Sequence, residues 1–172
     1  PVFCASGKRD IGAKRLMEFI INVAPGPLKA PNFLTVDGEE IEPDSNGPTA
    51  LFIFKNIVEP HLGEVTYFRV ISGKVTEGME LVNSKTGNKE KISQLFAVAG
   101  KNRIKVTEMM AGDIGCTVKL KGTRTNQTLS TPGSNIEIEP IRFPDPRFRV
   151  AVKAVKTGED EKLGELLNRA NF

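Results

Sequence analysis

Tryptophan is missing from this 172-residue chain, tyrosine and histidine occur once each, and cysteine occurs twice. Each scarcity excludes something. His61 is the lone imidazole and stands in Pro60-His61-Leu62-Gly63, which reads as a loop. Serine nucleophiles therefore lack a nearby histidine base. No histidine–cysteine spacing suits a metal, so the expected catalytic and metal-ligand sets are empty. Cys4 and Cys116 lie far apart and read as two free thiols of a reducing, cytoplasmic setting rather than a disulfide framework. No apolar run approaches the ~20 residues of a membrane helix and no signal peptide is visible, so no membrane partner is expected. A G-x-x-x-x-G-K-[ST] phosphate loop is absent, as is a Mg²⁺-holding aspartate in a strand–loop context. The chain is expected to bind rather than catalyse, with no cofactor of its own.

What is present points to a globular β protein. The chain is 39% hydrophobic and 26% charged, with a net charge of +3. That balance supports a core and permits a polyanionic partner without requiring one. Pro1 to Ser6 reads as a short apolar strand ending at Ser6-Gly7-Lys8. After Gly12, Leu16, Phe19, Ile20 and Val23 recur at helical spacing until Pro25-Gly26-Pro27 stops the helix. Asp37, Glu39, Glu40, Glu42 and Asp44 mark a linker that reads as a solvated loop. From Thr49 the pattern turns strand-like. Ala50–Phe54 is a continuous apolar run, and Val65, Tyr67 and Ile71 alternate with Phe68 and Val70 up to the turn dipeptide Ser72-Gly73. Such runs imply strands covered on both faces. Lys85-Thr86-Gly87-Asn88 reads as a turn and Lys91–Val98 as a strand. Ile114, Cys116, Val118 and Leu120 alternate with Gly115, Thr117 and Lys119, giving one buried and one wet face. Short strands at this spacing predict a closed antiparallel β-barrel. Phe143-Pro144-Asp145-Pro146 is a stiff joint. Arg149–Val155 then reads as a strand, and Leu163, Leu166, Leu167 and Ala170 as an amphipathic helix.

Several of these stretches carry a resemblance. Lys55-Asn56-Ile57-Val58-Glu59-Pro60-His61-Leu62-Gly63 followed by Tyr67-Phe68-Arg69-Val70-Ile71-Ser72-Gly73 resembles the second domain of elongation factor G. That family's pattern is roughly Lys-x-x-x-Asp-Pro-x-x-Gly, then Phe-Phe-Arg-Val-Tyr-Ser-Gly. Met110-Ala111-Gly112-Asp113-Ile114 is similar to its Ala-Gly-Asp-Ile. Leu120-Lys121-Gly122-Thr123-Arg124-Thr125-Asn126-Gln127-Thr128-Leu129 resembles its Leu-Lys-x-Thr-x-Thr-Gly-Asp-Thr-Leu, with Asn126-Gln127 in place of Gly-Asp.

The resemblance implies a fragment with four parts. Residues 1–28 would be the C-terminal remnant of an α/β GTPase domain, 29–48 a linker, 49–142 the closed barrel of domain II, and 143–172 the β-α start of domain III. Ser6-Gly7-Lys8 is similar to the family's Ser-Ala-Lys guanine-reading element, with Gly7 replacing alanine. It would serve only within an intact parent that carries GTP and Mg²⁺. The implied parent is a ribosomal translocase and a GTPase; the alternatives are a recycling or ribosomal-protection paralogue, or a self-standing nucleic-acid-binding barrel. Implied partners are the ribosome, chiefly small-subunit ribosomal RNA, and the parent's remaining domains. The basic residues Lys85, Lys89, Lys91, Lys101 and Arg103, with Lys119, Lys121 and Arg124, are the candidates for meeting a phosphate backbone.

Overall fold

A computed structural model describes residues 1–26, 29, 31–59, 63–100, 102–156 and 158–167, with the backbone of 168–170. His61 and Lys101 lie outside the described residues. The chain forms two units, Pro1–Pro31 and Asn32–Phe172.

In the first unit the backbone N–H of Ser6 donates to Ile11 O at 2.9 Å, and that of Ile11 returns to Ser6 O at 3.1 Å. The two close over a single 3-10 turn, Gly7–Arg9. The helix α1 (Ala13–Val23) follows Gly12, whose φ of 78° only glycine adopts cheaply. A Cβ there would stand 2.7 Å from Cys4 O. Phe3 packs on Phe19 with ring centroids 4.9 Å apart. The helix appears where its spacing predicts, but the strand expected over Pro1–Ser6 does not form. Only the isolated Ser6–Ile11 bridge is present. A strand needs a neighbour to take its backbone groups, and none lies beside this one among the described residues.

The second unit is mainly antiparallel β-structure. It begins with a small hairpin, β1 (Phe33–Leu34) and β2 (Glu40–Ile41). Two ten-residue strands follow, β3 (Ala50–Glu59) and β4 (Gly63–Ser72). Then come β5 (Lys74–Thr76), β6 (Glu80–Asn83), β7 (Lys89–Lys91) and β8 (Leu95–Ala99). The last strands are β9 (Asn102–Val106), β10 (Glu108–Met110), β11 (Ile114–Val118) and β12 (Gln127–Ser130). Eight strands form one sheet in the order β7-β6-β12-β3-β4-β11-β8-β9, and β5 pairs with β10 separately. The ladder of the main sheet is thus open between β7 and β9. Its two ends are linked through chain continuity: β5 leads into β6, β9 leads into β10, and β5–β10 is antiparallel across three residue pairs. The N–H of Glu77 donates to Thr107 O at 3.1 Å beside that seam. The closed ring that the sequence predicts is thus not present as a continuous ladder: the main sheet stays open between β7 and β9, and β5–β10 is a separate short ladder.

The interior holds Leu51, Ile53, Phe68, Val70, Val75, Leu81, Ile92, Leu95 and Leu129, all at most 1% exposed. Burying each such side chain stabilises the fold by roughly 1.5–3 kcal/mol. The other face of the long strands is covered too. Ala50, Phe52 and Ile71 pack with Ile138, Phe33 and Ile41. Val65, Cys116 and Val118 pack with Ile57, Tyr67, Phe96 and Val98. The segment read as a solvated loop over 29–48 is therefore partly structural. Its hairpin lays Phe33 and Ile41 on the outer face of β3–β4, and Thr35 bridges to Ile138. On β11 the expected alternation is also corrected. Gly115, Cys116, Thr117 and Val118 are all buried while Ile114 is exposed, because β11 sits inside the sheet with β4 and β8 on its sides.

After Ile138 the chain carries no further strand among the described residues. The strand expected over Arg149–Val155 does not form, again for want of a neighbour. The helix α2 (Asp160–Ala170) begins with Asp160 and Glu161, where the helix dipole favours acids.

Candidate nucleic-acid interface

The basic candidates separate by their partners. Arg103 on β9 donates to Glu59 at the end of β3 and, at 3.2 Å, to the Tyr67 hydroxyl. The Glu59 bond, then the Tyr67 bond, push the guanidinium's pKa further up. This arginine ties β9 to β3 and β4 across the outer face and is spoken for. The same guanidinium partly offsets the effect of burial on Cys116, whose thiol burial pushes up. Lys105 is paired with Glu77 at 3.0 Å, and Lys74 with Glu108 at 3.4 Å.

Lys89, Lys91, Lys119 and Lys121 make no ion pair with any described residue. The fold brings these four together around one cavity of about 320 Å³, lined also by Glu80, Glu90 and Ser93. Local structure explains the convergence. On β7 the alternation of a strand puts Lys89 and Lys91 outward and Glu90 inward. Lys119 follows β11 at φ 64°, a left-handed conformation for a non-glycine residue. Leu120 then anchors in the core at 6% exposure.

Glu90 anchors the loop that carries Lys121. It is 3% exposed. Its carboxylate accepts the N–H of Lys121 at 2.9 Å, the N–H of Gly122 at 3.0 Å and the Thr123 hydroxyl at 3.0 Å. A buried carboxylate needs such donors, and here they are supplied by the loop that carries the lysines. The loop continues into a second buried network. Asn56 Nδ2 donates to Thr66 Oγ1 and Thr123 O, both at 3.1 Å, and Thr125 Oγ1 donates to Asn56 Oδ1 at 3.2 Å. Asn126, standing where the family pattern has glycine, takes φ 68°. Its side-chain amide exchanges hydrogen bonds with both backbone groups of Ile141, at 3.0 and 2.9 Å. Asparagine tolerates that conformation, so the turn survives the replacement.

The remaining candidates stand apart. Lys85 lies on the turn between β6 and β7, its N–H on Asn83 Oδ1 at 3.1 Å, and does not line the cavity. Arg124 is exposed on the loop after Thr123. Ser6, Gly7 and Lys8 belong to the first unit's turn. The sequence holds no phosphate loop to accompany them, so these residues alone do not fit a guanine nucleotide. The acids of 37–44 are all exposed, as the solvated-loop reading expects, and only Glu40 of them lies on a strand. Asp37, Glu39, Glu40, Glu42 and Asp44 line a separate cavity of about 360 Å³, which repels a polyanion. Glu90 is the residue that sequence reasoning missed; it reads as the lone acid in a basic run, and its burial follows only from β7 being a strand.

A family model described as elongation factor G domain 2 matches residues 48–132. The chain is similar to elongation factor G 2 of Syntrophomonas wolfei subsp. wolfei, 33% identical over 98% of this chain and 25% of that protein. It is 35% identical to elongation factor G of Thermotoga maritima, over 97% of this chain and 25% of the relative. Among solved structures, a crystal structure from Thermus thermophilus superposes with a TM-score of 0.74 at 28% identity, over 96% of this chain and 23% of that one. The chain thus spans about a quarter of the length of the relatives it matches.

Proposed function

We propose that this chain, whose residues 48–132 match the elongation factor G domain 2 model and which resembles elongation factor G relatives at 33–35% identity, is the ribosome-docking part of a translocating GTPase. The barrel meets small-subunit ribosomal RNA through the lysine-lined cavity. The observation that carries this reading is the convergence on one cavity of four lysines unpaired among the described residues, while neighbouring cations are consumed by acids. Ammonium groups on strand and loop tips recognise a phosphate backbone by charge and shape, with little base sequence information. On this reading residues 1–28 end a GTPase domain and 143–172 open a third domain. Residues 49–142 are the docking domain, with the 29–48 segment laid partly over it. Ser6-Gly7-Lys8 would contribute to guanine reading only beside the parent's GTP- and Mg²⁺-holding residues. A translation factor works in the cytoplasm.

The test is binding of the chain to purified small ribosomal subunits over a salt series, with plain duplex RNA as control. We expect preference for the subunit, fading with salt. Charge reversal of Lys89, Lys91 and Lys121 should abolish the preference and leave thermal stability within about 0.5 kcal/mol, as for exposed substitutions generally. Equal binding to both RNAs, or binding indifferent to the triple substitution, overturns the reading.

A further inference from the structure

The cavity floor has a property that a scatter of surface lysines lacks. Glu90 is almost fully buried, yet every hydrogen bond it accepts comes from a neutral donor of residues 121–123. It is a fixed carboxylate that the lysines do not have to serve. The four ammonium groups stand around the opening against two carboxylates, buried Glu90 and exposed Glu80, so the lining keeps an excess of positive charge. Lys119 adds a second observation. Its left-handed backbone costs a non-glycine residue about 1–2 kcal/mol, and a glycine would relax it. That conformation instead sets an ammonium-bearing side chain at the rim.

We infer that this cavity is a seat for a single phosphate oxyanion, and that Glu90 is the positioning residue that fixes the Lys121–Thr123 loop, and with it Lys121, at the rim shared with Lys89, Lys91 and Lys119. The inference rests on the RNA-docking reading and names the chemical group that the docking face grips. The lining selects phosphate over base. It contains no aromatic side chain on which a base would stack. It contains no arginine fork for planar bidentate pairing, only point charges that suit a tetrahedral anion. A volume of about 320 Å³ accommodates a phosphate with part of its water shell. Thr123 extends the anchorage, because Asn83 Nδ2 of β6 donates to its hydroxyl at 3.4 Å.

The experiment titrates the chain with inorganic phosphate at constant ionic strength and follows backbone amide resonances. We expect saturable shifts at Lys89, Lys91 and Lys119–Thr123. K119G keeps the backbone conformation and removes one ammonium, and should weaken phosphate binding about tenfold, the loss of one charge-assisted hydrogen bond. E90Q is the sharper variant. It removes a negative charge beside an anion site, so simple electrostatics predicts tighter binding. Loss of the loop's anchor predicts weaker binding, with Lys119 and Lys121 amides shifted even without phosphate. Absence of saturation, or a K119G response equal to that of the unmodified chain, overturns the seat. Tighter phosphate binding by E90Q overturns the positioning role. A phosphate response that persists without any preference for the small subunit sinks the ribosomal reading and leaves the seat standing; the reverse sinks the seat alone.

Discussion

Arg103 shows how a basic residue can look like part of an interface and belong to the scaffold instead. The run from Lys85 to Lys105 carries it among six cations, with nothing in one dimension to separate it from its neighbours. Its partners Glu59 and Tyr67 arrive from β3 and β4, distant in sequence and adjacent only once the sheet order is set. Arg103→Met should cost about 1–2 kcal/mol, since it leaves a half-buried carboxylate and a phenol without their donor. Subunit affinity should stay unchanged. Chemical denaturation and a binding assay on the same variant decide this; lost affinity with intact stability would place Arg103 at the interface after all. Lys89, Lys91, Lys119 and Lys121 are legible in the sequence as cations and as candidates, but their grouping is not. It depends on the register between β6 and β7 and on a left-handed backbone at Lys119.

At the scale of elements, the run of both-face apolar residues in β3 and β4 is legible from pattern alone, because a doubly covered strand is continuous in hydrophobicity. What pattern does not supply is the identity of the second cover, the acid-rich hairpin β1–β2. Its two useful residues are Phe33, beside Leu34 in a strand of only two residues, and Ile41, alone between Glu40 and Glu42, and neither leaves a periodic signal. The terminal strands expected at Pro1–Ser6 and Arg149–Val155 fail for the opposite reason: local propensity is present and a pairing partner is not. The turn from β4 into β5 is legible as Ser72-Gly73, and its strictness is structural. Gly73 has φ 69°, and a Cβ there would lie 2.7 Å from Gly47 O and from the Thr49 backbone. Gly73→Ala should therefore destabilise the barrel by on the order of 2–4 kcal/mol, adding a left-handed penalty to a backbone clash. Gly122→Ala, with open space at its Cβ, is the control expected to be near neutral. A urea midpoint for each variant reads the difference, and equal midpoints would refute the account of this corner.

Across the whole molecule, the mainly antiparallel architecture is legible and the separate β5–β10 ladder is not, since a pairing of three residues has no sequence signature. Cys116 offers a probe of that assembly. It is fully buried while Cys4 is exposed, so a thiol reagent should label one cysteine at once and the second only as the barrel opens. Prompt labelling of both would contradict the packing. Burial also raises the Cys116 thiol, with Arg103 opposing. The native state then keeps a proton that the unfolded chain releases, so stability should decline as pH climbs above about 8.5, the ordinary thiol value. Cys116→Ala should remove that alkaline decline.

The open ladder has one more consequence. β7 and β9 are the two outermost strands of the main sheet, and each presents a row of backbone groups that another chain could extend. Both are short and charged: Lys89 and Lys91 flank one, Arg103 and Lys105 the other. The lysines proposed to grip RNA thus also discourage copies of this chain from stacking edge to edge into aggregates, so the docking surface and the molecule's own solubility draw on the same few charges.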